Sequence, residues 1–224
     1  MTFDSAISSL KRGEFVMIHD SDGRENEIDM VVAAELVTPE HIVRMRKHAG
    51  GLICLAIDNS LAEKLQLKYM HNMLSLSNQL DEESKKMIMG TAPYGDHPTF
   101  SISINHKQTY TGITDRDRAL TIKEMSVLYQ KENPKQFFNS TFKTPGHVPL
   151  LIASNGLLSS RTGHTEMSVY LTQLANLSPI TAICEMMDSE TYSALSVDKA
   201  EKYAKENAIP FIDGKELLEF SKVN

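Results

Sequence analysis

The sequence is poor in the features that mark several large protein classes. Cysteine occurs only at Cys54 and Cys184, both inside apolar runs and far apart. That usage excludes a disulfide framework and a cysteine metal knuckle, and it predicts two buried thiols in a reducing compartment. No apolar run approaches the length of a membrane span, so no membrane partner is expected. No leader of basic, then apolar, then small residues opens the chain, and the expected location is cytoplasmic. Positive charge is also short: 23 Lys and Arg face 29 Asp and Glu, for a net charge of −6. A nucleic-acid partner would call for a basic face and is not expected. A phosphorylated small molecule stays open, because two or three local arginines suffice to bind one. Linkers rich in Pro, Gly or Ser, low-complexity segments and repeats are absent too. With 224 residues, 41% of them apolar, the chain can bury one substantial core, and a single domain over residues 1–224 is expected.

What is present is strands mixed with helices, without a strict βαβ rhythm. Phe3, Ile7 and Leu10 recur at helical spacing before Lys11-Arg12-Gly13. Thr38-Pro39-Glu40 opens a second helix, and Gly50-Gly51 stops it. Leu52 to Ile57 and Pro179 to Cys184 read as strands buried on both faces, and Pro98 to Ile104 as a half-buried one. A capping box, Thr121 with Glu124, predicts a helix running into Met125 and Leu128. Further helices are expected over 149–158, 165–176, 197–207 and 214–220, with a short strand at 210–212. Between residues 58 and 95, Met70, Met73, Leu74, Leu76, Met87 and Met89 are scattered among polar residues, which predicts short helices and loop without a motif. The fold class is α+β: one mixed β-sheet surrounded by helices.

The densest chemistry lies in Asp20-Ser-Asp22-Gly23-Arg24-Glu25-Asn26-Glu27-Ile28-Asp29, between the apolar runs 15–18 and 30–34. An Asp-Gly turn between β-prone runs predicts a hairpin. Side chains on the outgoing segment are expected to alternate, so that Glu25, Glu27 and Asp29 share one face within about 7 Å of one another and Asn26, Ile28 and Met30 the other. The three acids repel unless a divalent cation, Arg24 or a protonated carboxyl lies among them. A solvated acidic strand edge is the bland alternative. An EF-hand is excluded, because its turn glycine would fall at Glu25. His147 and His164 each follow a glycine in a predicted loop, where imidazole can serve a metal or be an ordinary loop residue. Arg161-Thr162-Gly163-His164-Thr165 brings a guanidinium, two hydroxyls and a glycine to a helix start, a setting suited to phosphate or to a plain threonine cap. Glu185 ends a buried strand, as a cleft residue or an ion-pair partner. This inventory suits metal-assisted chemistry on a small phosphorylated polyol or ketose. It does not separate a lyase from an isomerase, a phosphatase or a non-catalytic binding module.

Five motifs occur in order: Arg24-Glu25-Asn26-Glu27-x-Asp29-Met30, Thr111-Gly112-Ile113, Pro145-Gly146-His147-Val148, Arg161-x-Gly163-His164-Thr165-Glu166 and Ile183-Cys184-Glu185-Met186-Met187. From about Phe15 to Met187 the chain closely resembles the 3,4-dihydroxy-2-butanone 4-phosphate synthase family, which makes the four-carbon precursor of riboflavin. The resemblance implies a homodimer with active sites near the subunit interface. It implies D-ribulose 5-phosphate as substrate, L-3,4-dihydroxybutan-2-one 4-phosphate and formate as products, and Mg2+ or Mn2+, two ions per site. By the family pattern Glu25 and His164 would ligate metal, with Glu25 able to bridge two ions. Arg24, Glu25, Asp29, Thr111, Arg161, Thr162, Gly163, His164, Thr165 and Glu185 would contact substrate. His147 and Glu185 would be catalytic, and Asp20 or Glu27 would abstract the proton. From the short tail, the GTP cyclohydrolase domain fused to some relatives is not expected here. Ile28 stands where the family often has glycine, and a packing difference is expected there.

Overall fold

The computed structural model describes residues 3–88 and 90–223, so Met89 of the scattered methionines lies outside the described residues. A seven-stranded mixed sheet runs through the molecule in the order β4-β5-β3-β6-β2-β1-β9. The strands are β1 (Val16–His19), β2 (Ile28–Ala33), β3 (Cys54–Ile57), β4 (Phe100–His106), β5 (Phe142–Ile152), β6 (Ile180–Glu185) and β9 (Phe211–Asp213). A two-stranded ribbon, β7 (Met187–Asp188) and β8 (Ser193–Ala194), follows β6. The helices are α1 (Phe3–Lys11), α2 (Pro39–Arg44), α3 (Asn59–Leu65), α4 (Met70–Ser75), α5 (Glu82–Lys85), α6 (Asp115–Ser126), α7 (Pro134–Thr141), α8 (His164–Leu174), α9 (Val197–Glu206) and α10 (Gly214–Ser221). This is the expected α+β architecture, and the described residues of 58–95 hold the short helices and loops foreseen for them.

The central strands are apolar runs because both of their faces are covered. Met30, Val32, Leu55, Ile57, Ala182 and Cys184 join a core that includes Ile42 of α2 and Ile122 and Met125 of α6. Val31, Cys54, Ala56 and Ile183 face the other way, against Leu10 of α1, Met167 and Leu171 of α8 and Leu217 of α10. Each fully buried aliphatic side chain contributes about 1.5–3 kcal/mol relative to exposure. Cys54 and Cys184 are both buried free thiols, as expected. Burial, first, pushes both thiols well above the usual range, so neither is a ready nucleophile. Among the described residues no helix is long and apolar enough to cross a membrane.

Three local expectations fail. Residues 149–158 do not form the expected helix: 149–152 complete β5, which pairs parallel with β3 and antiparallel with β4, so only a short 3-10 turn, Leu157–Ser159, lies between His147 and His164. α6 begins at Asp115, because the Thr114 hydroxyl caps it by accepting from the Asp117 N–H at 3.1 Å. Thr121 lies inside that helix, and its hydroxyl accepts the His106 N–H at 3.0 Å. The β1–β2 connection is a longer loop over residues 20–27, not a tight Asp-Gly turn, so the strand alternation begins only at Ile28. Glu25 and Glu27 therefore lie in a loop, and Asn26 adopts φ 54°, a left-handed conformation that asparagine tolerates.

Candidate active site

The acidic loop is built around Asp20. Its carboxylate accepts the Glu25 N–H at 2.9 Å and the Glu27 N–H at 3.1 Å, and it pairs with Arg24 Nη1 at 3.1 Å. Three local partners fold the loop back so that Glu25 points at the start of α8. There His164 Nδ1 lies 3.1 Å from Glu25 Oε2 and Nε2 lies 3.1 Å from the Glu27 carbonyl oxygen. A carbonyl only accepts, so Nε2 carries a proton, and Nδ1 faces a carboxylate. Asp29 Oδ1 lies 3.9 Å from Nε2. Burial opposes the imidazolium, but the charge of Asp29 and the hydrogen bond to Glu25 outweigh it and push His164 up to about 9. The positive charge that the acids require is thus supplied by His164 and Arg24.

The same balance sets the carboxylates. Burial disfavours ionised Glu25, yet the His164 and Tyr94 hydrogen bonds and the Arg24 charge hold it well below the usual range. Tyr94 donates to Glu25 Oε1 at 2.6 Å. Burial pushes Asp29 up to about 7; the imidazolium opposes the rise, and Glu185, Glu25 and Glu27 add to it. Glu27 is raised by burial and then by Glu25 and Glu185. Ile28 is fully buried in the core opposite these groups, where its bulk is a packing feature.

Two arginines border the acids. Arg24 pairs with Glu25 at 2.8 Å, and its Nε donates to Asp96 Oδ2 at 3.0 Å. Arg161 Nε lies 3.4 Å from the same oxygen, and Arg161 Nη1 donates to Glu166 at 2.6 Å. Glu166 is held in turn by the Ser154 N–H at 2.8 Å. Gly163, not Thr162, occupies the cap position of α8, and a Cβ there would overlap Arg161 Nη1 and crowd Arg24 Nη2. Thr162 lies in the same turn, and the Thr165 hydroxyl is 3.2 Å from that of Thr99.

Glu185 pairs with Asp29 across β6–β2, and its Oε2 accepts the Leu52 N–H at 2.7 Å. A Cβ on Gly51 would overlap that carboxylate. The β3–β5 register, followed back from Leu55↔Leu150, sets His147 level with Leu52. Asp29, Glu185 and His147 thus fall along one end of the sheet. His147 is two strand spacings from Glu185, about 10 Å. It is exposed and bonded to Asn105, while Thr111 lies beyond it in an exposed turn. Glu25, Glu27, Asp29, Asp20, Arg24, Arg161, Gly163 and His164 are brought together; His147 and Thr111 are not in that cluster.

Asp20, Glu25 and His164 each offer a ligand atom, all within 4.8 Å of one another. Two carboxylates and an imidazole fit a hard divalent cation, and buried Asp29 Oδ1 has no hydrogen-bond partner among the described residues. Tyr94, Asp96 and Asn105 were not foreseen. They reach the site from segments whose spacing carries no motif, so no signal in the sequence singled them out.

Residues 4–220 match the sequence model of 3,4-dihydroxy-2-butanone 4-phosphate synthase. The chain is 44% identical to the 3,4-dihydroxy-2-butanone 4-phosphate synthase of Methanothermobacter thermautotrophicus, covering 96% of this chain and 93% of that one. It is 41% identical to the enzyme of that name from Archaeoglobus fulgidus, covering 98% and 93%. Among solved structures it is similar to a 3,4-dihydroxy-2-butanone 4-phosphate synthase in complex with two magnesium ions, at TM-score 0.82 and 27% identity, covering 100% of this chain and 98% of that one. A cation-free form of a synthase of that name gives TM-score 0.80 at 26% identity, covering 100% and 98%.

Proposed function

The chain belongs to the 3,4-dihydroxy-2-butanone 4-phosphate synthase family, and from that premise we propose that it is a lyase of riboflavin biosynthesis. It converts D-ribulose 5-phosphate to L-3,4-dihydroxybutan-2-one 4-phosphate and formate. The observation that carries this reading is the meeting of Glu25 and His164 at 3.1 Å, with Asp20 beside them and two buried arginines at the rim.

Glu25 and His164 would hold Mg2+ or Mn2+, His164 through Nδ1 once the cation displaces the proton there, with Glu25 bridging if two ions bind. Such a cation, when bound, stabilises negative charge on adjacent substrate oxygens. Arg161, with Arg24 and the Gly163–Thr165 backbone, holds the phosphate at the start of α8. Asp29 and Glu185 face the sugar hydroxyls from the sheet end. The proton-abstracting base is Glu27. Asp20 has both oxygens engaged by backbone N–H groups and Arg24, whereas the bonds of Glu27 here are made by its own N–H and C=O. His147 approaches the substrate from β5, and Thr111 from the turn beyond it. The enzyme works as a cytoplasmic homodimer, with residues 1–224 as one domain.

Incubation with ribulose 5-phosphate and magnesium is expected to release formate, and EDTA to stop it. Glu25→Ala loses metal binding and turnover together, whereas His147→Ser keeps calorimetric binding of ribulose 5-phosphate and loses formate release by about 100-fold or more. A Glu25→Ala protein that still turns over would refute the reading.

A further inference from the structure

Asn105 is a buried amide at the side of His147, 4% exposed, on the last part of β4. We propose that Asn105 is a positioning residue that locks the His147 imidazole as the neutral tautomer protonated at Nε2, so that His147 serves as a hydrogen-bond donor and not as the base. The inference rests on the reading above, in which His147 faces the substrate.

The partners of Asn105 determine which end of its amide is which. The His147 backbone N–H, which only donates, lies 2.8 Å from Oδ1. The Thr111 carbonyl, which only accepts, lies 3.4 Å from Nδ2. The amino group is therefore the end that meets His147 Nδ1, at 3.0 Å. An amino group has no lone pair to offer an N–H, so Nδ1 must present its own lone pair. The neutral ring then carries its proton on Nε2, the nitrogen away from Asn105.

The surroundings hold this arrangement in place. A register shift in the β4–β5 pairing falls between Ile104 and Asn105, and such irregularities re-aim side chains. Gly112 closes over Asn105 with φ +93°, and a Cβ there would overlap the amide itself. The Gly112 N–H is tied to Asp117 Oδ2 at 2.9 Å, which anchors the turn to α6. On the other side, a Cβ on Gly146 would overlap the Ile104 backbone. The Thr111-Gly112 and Gly146-His147 motifs thus build one device around one ring. A fixed N–H aimed at developing oxyanion charge acts without reorganisation in the transition state, and it leaves proton abstraction to a carboxylate.

Nitrogen-15 NMR of the ring nitrogens, with His147 assigned by its loss in His147→Ser, tests the proposal at a pH where the ring is neutral. The unmodified chain is expected to show a proton on Nε2 and a bare Nδ1. Asn105→Asp offers Nδ1 an acceptor and is expected to move the proton there. It should also lower kcat for formate release by about 100-fold while KM stays within about twofold. A proton on Nδ1 in the unmodified chain, or one tautomer in both proteins, overturns the proposal. If Asn105→Asp does not fold, the spectrum of the unmodified ring decides alone. An inverted tautomer with unchanged kcat overturns the donor role. An inverted tautomer in a protein whose unmodified form releases no formate upholds the positioning and overturns the proposed function.

Discussion

Arg24 and Arg161 share one counterion, Asp96, and both guanidiniums are nearly buried, with side chains 7% and 11% exposed. Gly163 is the position that lets them converge, because any Cβ would strike the far end of either side chain. Those ends are flexible in principle, so the fold can accommodate a methyl group; the ion pairs cannot. Gly163→Ala is therefore expected to raise KM for ribulose 5-phosphate about tenfold or more, with the thermal midpoint within about 5 °C of the unmodified chain. Steady-state kinetics beside a melting curve check both halves. At this scale the sequence was informative where donors sit close in the chain, as in Arg24-Glu25 and Gly163-His164. It was silent on Tyr94 and Asp96, which meet Glu25 and Arg24 from 69 and 72 residues away.

At the start of α2, the His41 ring joins two elements. Its Nδ1 accepts the Thr38 N–H at 3.0 Å, and its Nε2 donates to the Gly13 carbonyl at 2.8 Å. That pattern needs a neutral ring, and burial, the largest cause, lowers its pKa below 6.5. A ring whose folded pKa is depressed contributes stability that is complete above about pH 6.5 and is lost as pH falls below it. The urea midpoint is expected to drop through that window, and His41→Gln to drop less steeply while losing about 1 kcal/mol at neutral pH. Parallel urea titrations at several pH values check this. β5 teaches the opposite lesson about elements. Leu150, Leu151 and Ile152 form a short apolar run, which periodicity alone does not assign to helix or strand. Pairing with β3 and β4 decides for strand, and Leu150 is fully buried against the α2–α6 layer. Leu150→Ala should cost about 3 kcal/mol in chemical denaturation.

For the whole molecule, the proposed homodimer predicts sedimentation at twice the mass of the chain, at concentrations where activity is measured. Its net charge of −6 predicts no retention of duplex DNA at physiological salt, which a gel-shift assay checks. The sequence by itself determined the fold class, most of the helices and buried strands, and the acid, arginine and histidine types at the site. Those follow from local causes: apolar periodicity, caps, and clusters of charge a few residues long. Only the tertiary structure decided that residues 20–27 form a loop, that His164 carries the charge balancing Glu25 and Asp29, and that Asn105 governs His147. Each of those depends on groups far apart in sequence whose burial and hydrogen bonds exist only once the sheet has brought its strands together.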